Sequence, residues 1–206
     1  MEIKRTANAG VLLKMDGVSI LLDGVCKELY PYIGTPDSIR NELVSNYPDV
    51  VAFTHMHEDH YDDNYAKLYT KDTLRSVYGP ELSNFMDMGG VSIQSVPTRH
   101  IGKSSLLHCS FIISGSKCVW FMGDASPLVI KKFENIPLPD VLIVPYAFVN
   151  NNTAWQITKS TGAKHIVVVH MPDKADDSYR LWDSVEETVG NEKNIYTPLV
   201  GESIML

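Results

Sequence analysis

The chain has 206 residues, of which 44% are hydrophobic, and a formal net charge of −7. That supplies apolar side chain for one substantial core, so a single domain over 1–206 is expected. The acidic balance, with no Lys/Arg run long enough to follow a phosphate backbone, argues against nucleic acid as partner; the absence of a bilayer-length apolar run argues against a membrane.

The N-terminal Met1-Glu2-Ile3-Lys4-Arg5 carries no apolar leader, and Cys26, Cys109 and Cys118 lack C-x-x-C spacing. Both features fit a soluble cytoplasmic protein with reduced thiols. Residues 3–6, 10–14 and 18–22 read as three strands of a meander, with Met15-Asp16-Gly17 as a tight turn because glycine supplies positive φ. From 36 to 47 the spacing of Ile39, Leu43, Val44 and Tyr47 becomes helical, with Asp37 or Ser38 placed to cap the start. Pro48 stops that helix, and Val50-Val51-Ala52-Phe53 reads as a buried strand.

Directly after it comes Thr54-His55-Met56-His57-Glu58-Asp59-His60. Imidazole and carboxylate suit divalent zinc, manganese or iron, and crowding four such groups into one turn is costly unless a cation offsets their repulsion. A short helix over 62–69 should follow, with Asp62 and Asp63 serving its cap and dipole instead of a metal. A strand near 75–77 and a small turn or helix around 80–86 come next. Strands are expected at 91–96, 108–114 and 118–121, a helical segment at 127–133, a strand at 141–144, a helix at 153–161, a strand at 166–169 and a last helix at 178–189. Three of these runs end on further ligand-type residues, His100, Asp124 and His170. Ligands at strand ends would gather along one sheet edge, where open α/β sheets place their sites.

With those residues in view, the chain resembles the metallo-β-lactamase superfamily. Its H-x-H-x-D-H signature is matched without a gap by His55, His57, Asp59 and His60, and its later histidine, Gly-Asp aspartate and final histidine are matched in order by His100, Asp124 and His170. The resemblance implies an αββα sandwich of two mixed sheets flanked by helices, which the predicted elements fit. It implies two divalent ions, zinc before manganese or iron: His55, His57 and His100 on one, Asp59, His60 and His170 on the other, and Asp124 between them. A hydroxide shared by two such ions would be nucleophile, with the ions as Lewis acids, and Asp59 the group that orients it and takes its proton. In the same resemblance Asp23 lies behind the site and accepts a hydrogen bond from a ligand histidine; the alternative from sequence is a plain Asp23-Gly24 turn. The redox diiron branch carries a carboxylate where this chain has His57, so hydrolysis is expected.

The compact length is most similar to the ascorbate-6-phosphate lactonase-like hydrolases. The expected function is cleavage of a small-molecule ester, lactone or related bond. A phosphodiesterase or ribonuclease of the same fold, and a metal-stabilised binding protein with little turnover, are the alternatives. For substrate contacts, Arg99 is either a clamp for an anionic group or a surface arginine, and Tyr146 and Asn151 are either hydrogen-bond partners of substrate or loop residues. Glu58 is taken as solvent-facing, and His108, His165 and Trp155 as packing residues.

Overall fold

Glycine and alternating apolar residues build the first hairpin as the sequence suggests. In the computed structural model, which describes residues 1–81, 85–102, 105–133 and 136–206, β1 (Glu2–Arg5), β2 (Val11–Met15) and β3 (Val18–Leu22) form an antiparallel meander. Asp16 and Gly17 both take positive φ, 51° and 83°, the geometry whose twist matches that of the flanking strands. Helix α1 (Asp37–Ser45) buries Ile39 and Leu43. Its N-cap is Pro36 with no side-chain hydrogen bond, so the expected cap by Asp37 or Ser38 is corrected: both residues lie inside or at the first turn, where proline's fixed φ already serves the start.

Strand β4 (Val50–Ala52) pairs in parallel with β3 and with β5 (Val77–Tyr78), and α2 (Asp63–Thr73) crosses between them. The Asp62 carboxylate accepts from the Asn64 and Tyr65 amides at the start of α2, the capping role read from sequence. Of the turn or helix expected over 80–86, Pro80 and Glu81 are a turn, residues 82–84 lie outside the described residues, and the end is corrected: Phe85–Asp87 is a strand, β6, paired antiparallel with β7 (Ser92–Pro97). Strands β8 (Cys109–Ser114) and β9 (Cys118–Phe121) continue the meander. A 3-10 segment, Pro127–Phe133, leads to β10 (Val141–Pro145), α3 (Asn152–Lys159), β11 (His165–Val169) and α4 (Leu181–Val189). The last helix starts three residues later than its apolar stripe suggests, and Tyr179 is exposed.

Two short strands were not legible from the sequence, β12 (Ile195–Tyr196) and β13 (Ser203–Met205). β13 pairs with β1, Ile3 opposite Ile204. The sheets run β13-β1-β2-β3-β4-β5 and β12-β11-β10-β9-β8-β7-β6.

Period-2 alternation distributes each strand's side chains between layers. Phe111, Ile113, Val167 and Val169 point between the sheets, where they meet Ile3, Leu13, Ile20 and Leu22. Their neighbours Ile112, Ile166 and Val168 face outward onto Trp155, Trp182 and Val185 of α3 and α4. Leu12, Leu21 and Val51 do the same on the other side, beneath Ile39, Leu43, Tyr65 and Tyr69. These three apolar layers define the αββα sandwich. No helix among the described residues is long and apolar enough to cross a membrane.

The loop between β1 and β2 is pressed against the end of β3. A Cβ on Gly10 would lie 2.1 Å from the Asp23 carbonyl oxygen and 2.5 Å from Gly24 Cα. Backbone cannot retreat as a flexible side chain does, so Gly10→Ala is expected to cost about 3 kcal/mol or more, read as a lower midpoint in denaturant unfolding.

Candidate metal centre

β7 and β9 both run antiparallel to β8, and β10 and β11 run parallel to β9. The C-terminal ends of β7, β9, β10 and β11 therefore leave the sheet at one edge, and the residues found there are His100, Asp124, Tyr146 and His170. The other sheet delivers His55 to His60 from the end of β4. A hydrogen bond from the Cys109 amide to the Thr54 carbonyl, 3.0 Å, joins the ligand turn to β8.

Three backbone features let the ligands converge. The turn closes on itself through His60 and Tyr61 amides donating to the His57 carbonyl. Gly123 takes φ +54°, and a Cβ there would sit 2.6 Å from the Thr54 side chain, which explains why a glycine precedes Asp124. His170 adopts φ +58°, unusual for a non-glycine residue and costly unless the surroundings enforce it. Its amide is held by the Asn8 carbonyl at 3.0 Å.

The side chains meet at ligand spacing. His55 Nε2 lies 3.1 Å from His57 Nδ1; His60 Nε2 is 3.3 Å from an Asp124 oxygen, and His170 Nε2 is 3.3 Å from Asp59 and 3.4 Å from Asp124. His100 Nε2 is 3.6 Å from the other Asp124 oxygen. Neighbouring ligands on one tetrahedral ion with bonds near 2.0 Å stand about 3.3 Å apart. Candidate donor sets fall into the triads His55, His57, His100 and Asp59, His60, His170, with ligand atoms within 4.8 Å of one another in each. A third grouping, Asp23, His55 and His60, is a hydrogen-bonded one, because its Asp23 contacts are made by donors.

Tautomers follow from those donors. Thr54 donates its single hydroxyl proton to Asp23 Oδ2 at 2.6 Å, so its oxygen accepts from His55 Nδ1 at 2.9 Å. His60 Nδ1 donates to Asp23 Oδ2 at 2.8 Å, and His100 Nδ1 to the Ile101 carbonyl. Each of these three imidazoles thereby carries its proton on Nδ1 and turns a bare Nε2 toward the others. The Nε2 atoms of His60, His100 and His170 are buried without a hydrogen-bond partner. Such orphans are what a bound cation would satisfy, and the residues present fit a divalent metal centre.

Electrostatics agree. Burial, followed by the neighbouring His60, pushes the His55 imidazole far below its ordinary value and keeps it neutral. Burial alone would raise the Asp124 carboxyl, but the facing His170 and His60 hold it well below the usual carboxylate range. Burial likewise opposes protonation of His60 and His170, and Asp124 outweighs it in both. The facing carboxylates thus draw positive charge to the Nε2 side of both rings, the place a divalent cation would take.

All seven residues read from the sequence as ligands come together here, and Asp23, fully buried, takes the position behind His60 that the resemblance implied. Glu58 is exposed and pairs with Lys27 at 2.6 Å. Tyr146 faces the site, its ring 6.2 Å from that of His170. Asn151 caps α3: its Oδ1 accepts from the Ala154 amide, and its Nδ2 donates to Asn150. Arg99 is exposed, and its carbonyl accepts from the Ser126 amide.

Three residues near the centre, Asn8, Arg5 and Tyr32, escaped the sequence reading. Asn8 Nδ2 donates to Asp59 Oδ2 at 3.4 Å. Arg5, 2% exposed, spends its guanidinium on the carbonyls of Ala7, Asn8, Met171 and Pro198; a charge in an otherwise alternating strand was the available signal. His108 packs behind His55 and His100, with ring centroids at 5.2 and 5.6 Å, and burial pushes it down to about 3. Tyr32 stands edge-on to His170, ring centroids 4.4 Å apart.

A buried cluster of imidazoles and carboxylates at the strand ends of an αββα sandwich defines a metal-site protein. Residues 2–170 match the beta-lactamase superfamily domain, and the chain belongs to that family, the metallo-β-lactamase superfamily. No curated protein sequence matches it. Among solved structures it is similar to a possible metal-dependent hydrolase from Veillonella parvula, at 18% identity, TM-score 0.76, covering 100% of this chain and 99% of that one. It is also similar to the isothiocyanate hydrolase from Delia radicum gut bacteria (16%, TM-score 0.68, 100% and 99%). A third is Igni18, a metallo hydrolase from Ignicoccus hospitalis (18%, TM-score 0.65, 98% and 97%).

Proposed function

We propose that the chain is a dinuclear metal-dependent hydrolase cleaving an ester, lactone or related bond of a small molecule. The observation that carries this reading is the set of ligand separations, 3.1 to 3.6 Å, across two triads that share Asp124. His55, His57 and His100 would hold one ion, Asp59, His60 and His170 the other, with Asp124 between them, and zinc suits the histidine-rich set best. When bound, two such ions supply an activated water near neutral pH and polarise the bond under attack.

The chain's own residues do the rest. Asp59, steadied by Asn8 and His170, orients the attacking water and accepts its proton. Asp23 and Thr54 fix the imidazoles that face it. His57, where the redox branch carries a carboxylate, supports hydrolysis over electron transfer, and the names of the three neighbours above are hydrolase names. The lactone arm of the reading rests on chain size and motif spacing. A cytoplasmic setting is inferred from free Cys26, Cys109 and Cys118.

The test is metal analysis of the purified protein, coupled to a panel of neutral esters and lactones and to bis(p-nitrophenyl) phosphate. Two equivalents of metal with cleavage of an ester or lactone are expected. Preference for the phosphodiester would shift the reading to phosphodiesterase chemistry, and bound metal without any turnover would favour a binding protein.

A further inference from the structure

The segment between β3 and α1 folds over the metal centre as a fixed turn. Leu29 and Tyr32 exchange backbone hydrogen bonds at 3.0 and 2.8 Å. The base of the turn is tied down at both ends: the Lys27 amide donates to the Glu58 carbonyl of the ligand turn, and the Thr35 amide and Arg40 guanidinium both donate to the Cys26 carbonyl. Gly34 lets the two limbs close, since a Cβ there would meet Glu28 N at 2.7 Å.

What the turn presents to the site is Tyr32. Its ring stands at 79° to the His170 ring, 4.4 Å between centroids. Its side chain interacts with that of Tyr146, and its hydroxyl lies in the field of Asp124 and Asp59. Tyr146 arrives from the other side, one residue past β10, with its ring 6.2 Å from His170. Two phenol groups, one from the segment after β3 and one from the turn after β10, thus flank one ligand. Both residues are half-buried.

Chemistry limits what such a wall can bind. A tyrosine hydroxyl donates one hydrogen bond and carries no charge at neutral pH. An anionic phosphodiester would call for guanidinium or ammonium groups, and the cations around the two tyrosines are committed elsewhere: Lys27 to Glu58, Arg40 to Asp62 at 2.9 Å, and Arg5 to backbone carbonyls, while the exposed Arg99 adjoins His100 of the other triad. A neutral electrophile with one acceptor oxygen, which gains negative charge only as the bond is attacked, fits two phenol donors.

Resting on the hydrolase reading above, we infer that Tyr32 and Tyr146 together form the substrate-oxygen site, and that the substrate is an uncharged carbonyl compound such as a carboxylic ester or lactone. The two hydroxyls donate to the carbonyl oxygen, and those bonds strengthen as the oxygen becomes anionic.

The experiment uses the metal-loaded full chain, with Tyr32→Phe, Tyr146→Phe and the double variant, on p-nitrophenyl butyrate, γ-butyrolactone and bis(p-nitrophenyl) phosphate. Metal content and thermal midpoint check that each variant is intact. Each single variant is expected to lose about 10- to 100-fold in kcat on the neutral substrates with KM changed less than about 3-fold. The double variant should lose less than the product of the two, because both groups serve one oxygen. Calorimetric binding of 1,1,1-trifluoro-2-hexanone, whose hydrate resembles the attacked carbonyl, should weaken in parallel. Wild-type kcat and ketone affinity in both single variants would overturn the inference while leaving the hydrolase reading standing. Ketone binding that depends on both tyrosines, in a protein that cleaves nothing on the panel, would do the reverse. A preference for the phosphodiester, or no ketone binding by the wild-type chain, would overturn the neutral-carbonyl assignment.

Discussion

Asp124→Ala is expected to remove at least one of the two metal equivalents and to lower turnover on any substrate the protein cleaves by about 1000-fold or more. Asp124 is the side chain that meets histidines of both triads: one oxygen lies near His60 and His170, at 3.3 and 3.4 Å, and the other faces His100 at 3.6 Å. Removing it does more than delete a ligand. Two divalent cations bring four positive charges into a largely buried site, where Asp59 and Asp124 are the carboxylates facing them and uncompensated charge is costly. Without Asp124 each triad keeps three donors but loses the anion that allows both to be filled at once. Metal analysis of the purified variant reads this directly. Two tightly held equivalents in Asp124→Ala would show that the carboxylate does not join the triads, and the dinuclear reading would fall with it.

How much of this was legible in the sequence depends on whether a residue's role is local. His55, His57, Asp59 and His60 announce themselves because crowding four ligand-type groups into six positions is costly unless a cation offsets their repulsion. His100, Asp124 and His170 are readable because each ends an apolar run, and topology then brings those ends to one edge. The alternating strands and the Asp16-Gly17 turn are local too. The unread features all depend on distant partners. β13 is three residues long and is a strand because β1, two hundred positions away, offers an open edge. Tyr32 lies in a stretch without periodicity and gains its place from tethers to Glu58 and Arg40. Asn8 and Arg5 look like ordinary polar residues near a chain end until the fold lays Met171 and Pro198 over them. Asn151 has a role that is local after all: near a strand end at the ligand edge, its side chain caps the first turn of α3.

Asp23 shows the same dependence on distant partners and gives the sharpest test of the site's construction. Its carboxylate is fully buried and accepts from the Thr54 amide at 2.7 Å, the Thr54 hydroxyl at 2.6 Å and His60 Nδ1 at 2.8 Å. Asp23→Ala leaves these donors buried and unpaired, which should cost about 3 to 5 kcal/mol, or roughly 6 to 20 °C in Tm for a chain of this size. It should also weaken metal binding about 10- to 100-fold, since His60 loses the partner that fixes its tautomer. Loss of metal and loss of fold are thus entangled in that variant, and Asp23→Asn separates them. An asparagine fills the same volume and keeps one acceptor oxygen. Placed where Oδ2 was, that oxygen still accepts from the Thr54 hydroxyl and from His60 Nδ1, while the amide nitrogen faces the Thr54 amide, one donor against another. Most of the stability and the His60 tautomer should remain, but the negative charge that raises the imidazole's basicity is gone. Asp23→Asn is therefore expected to fold within about 2 kcal/mol of the parent chain yet to bind metal about 10-fold more weakly. If denaturant unfolding and metal titration show the two properties falling together in both variants, Asp23 is a packing residue, and the bare Nε2 of His60 has some other cause.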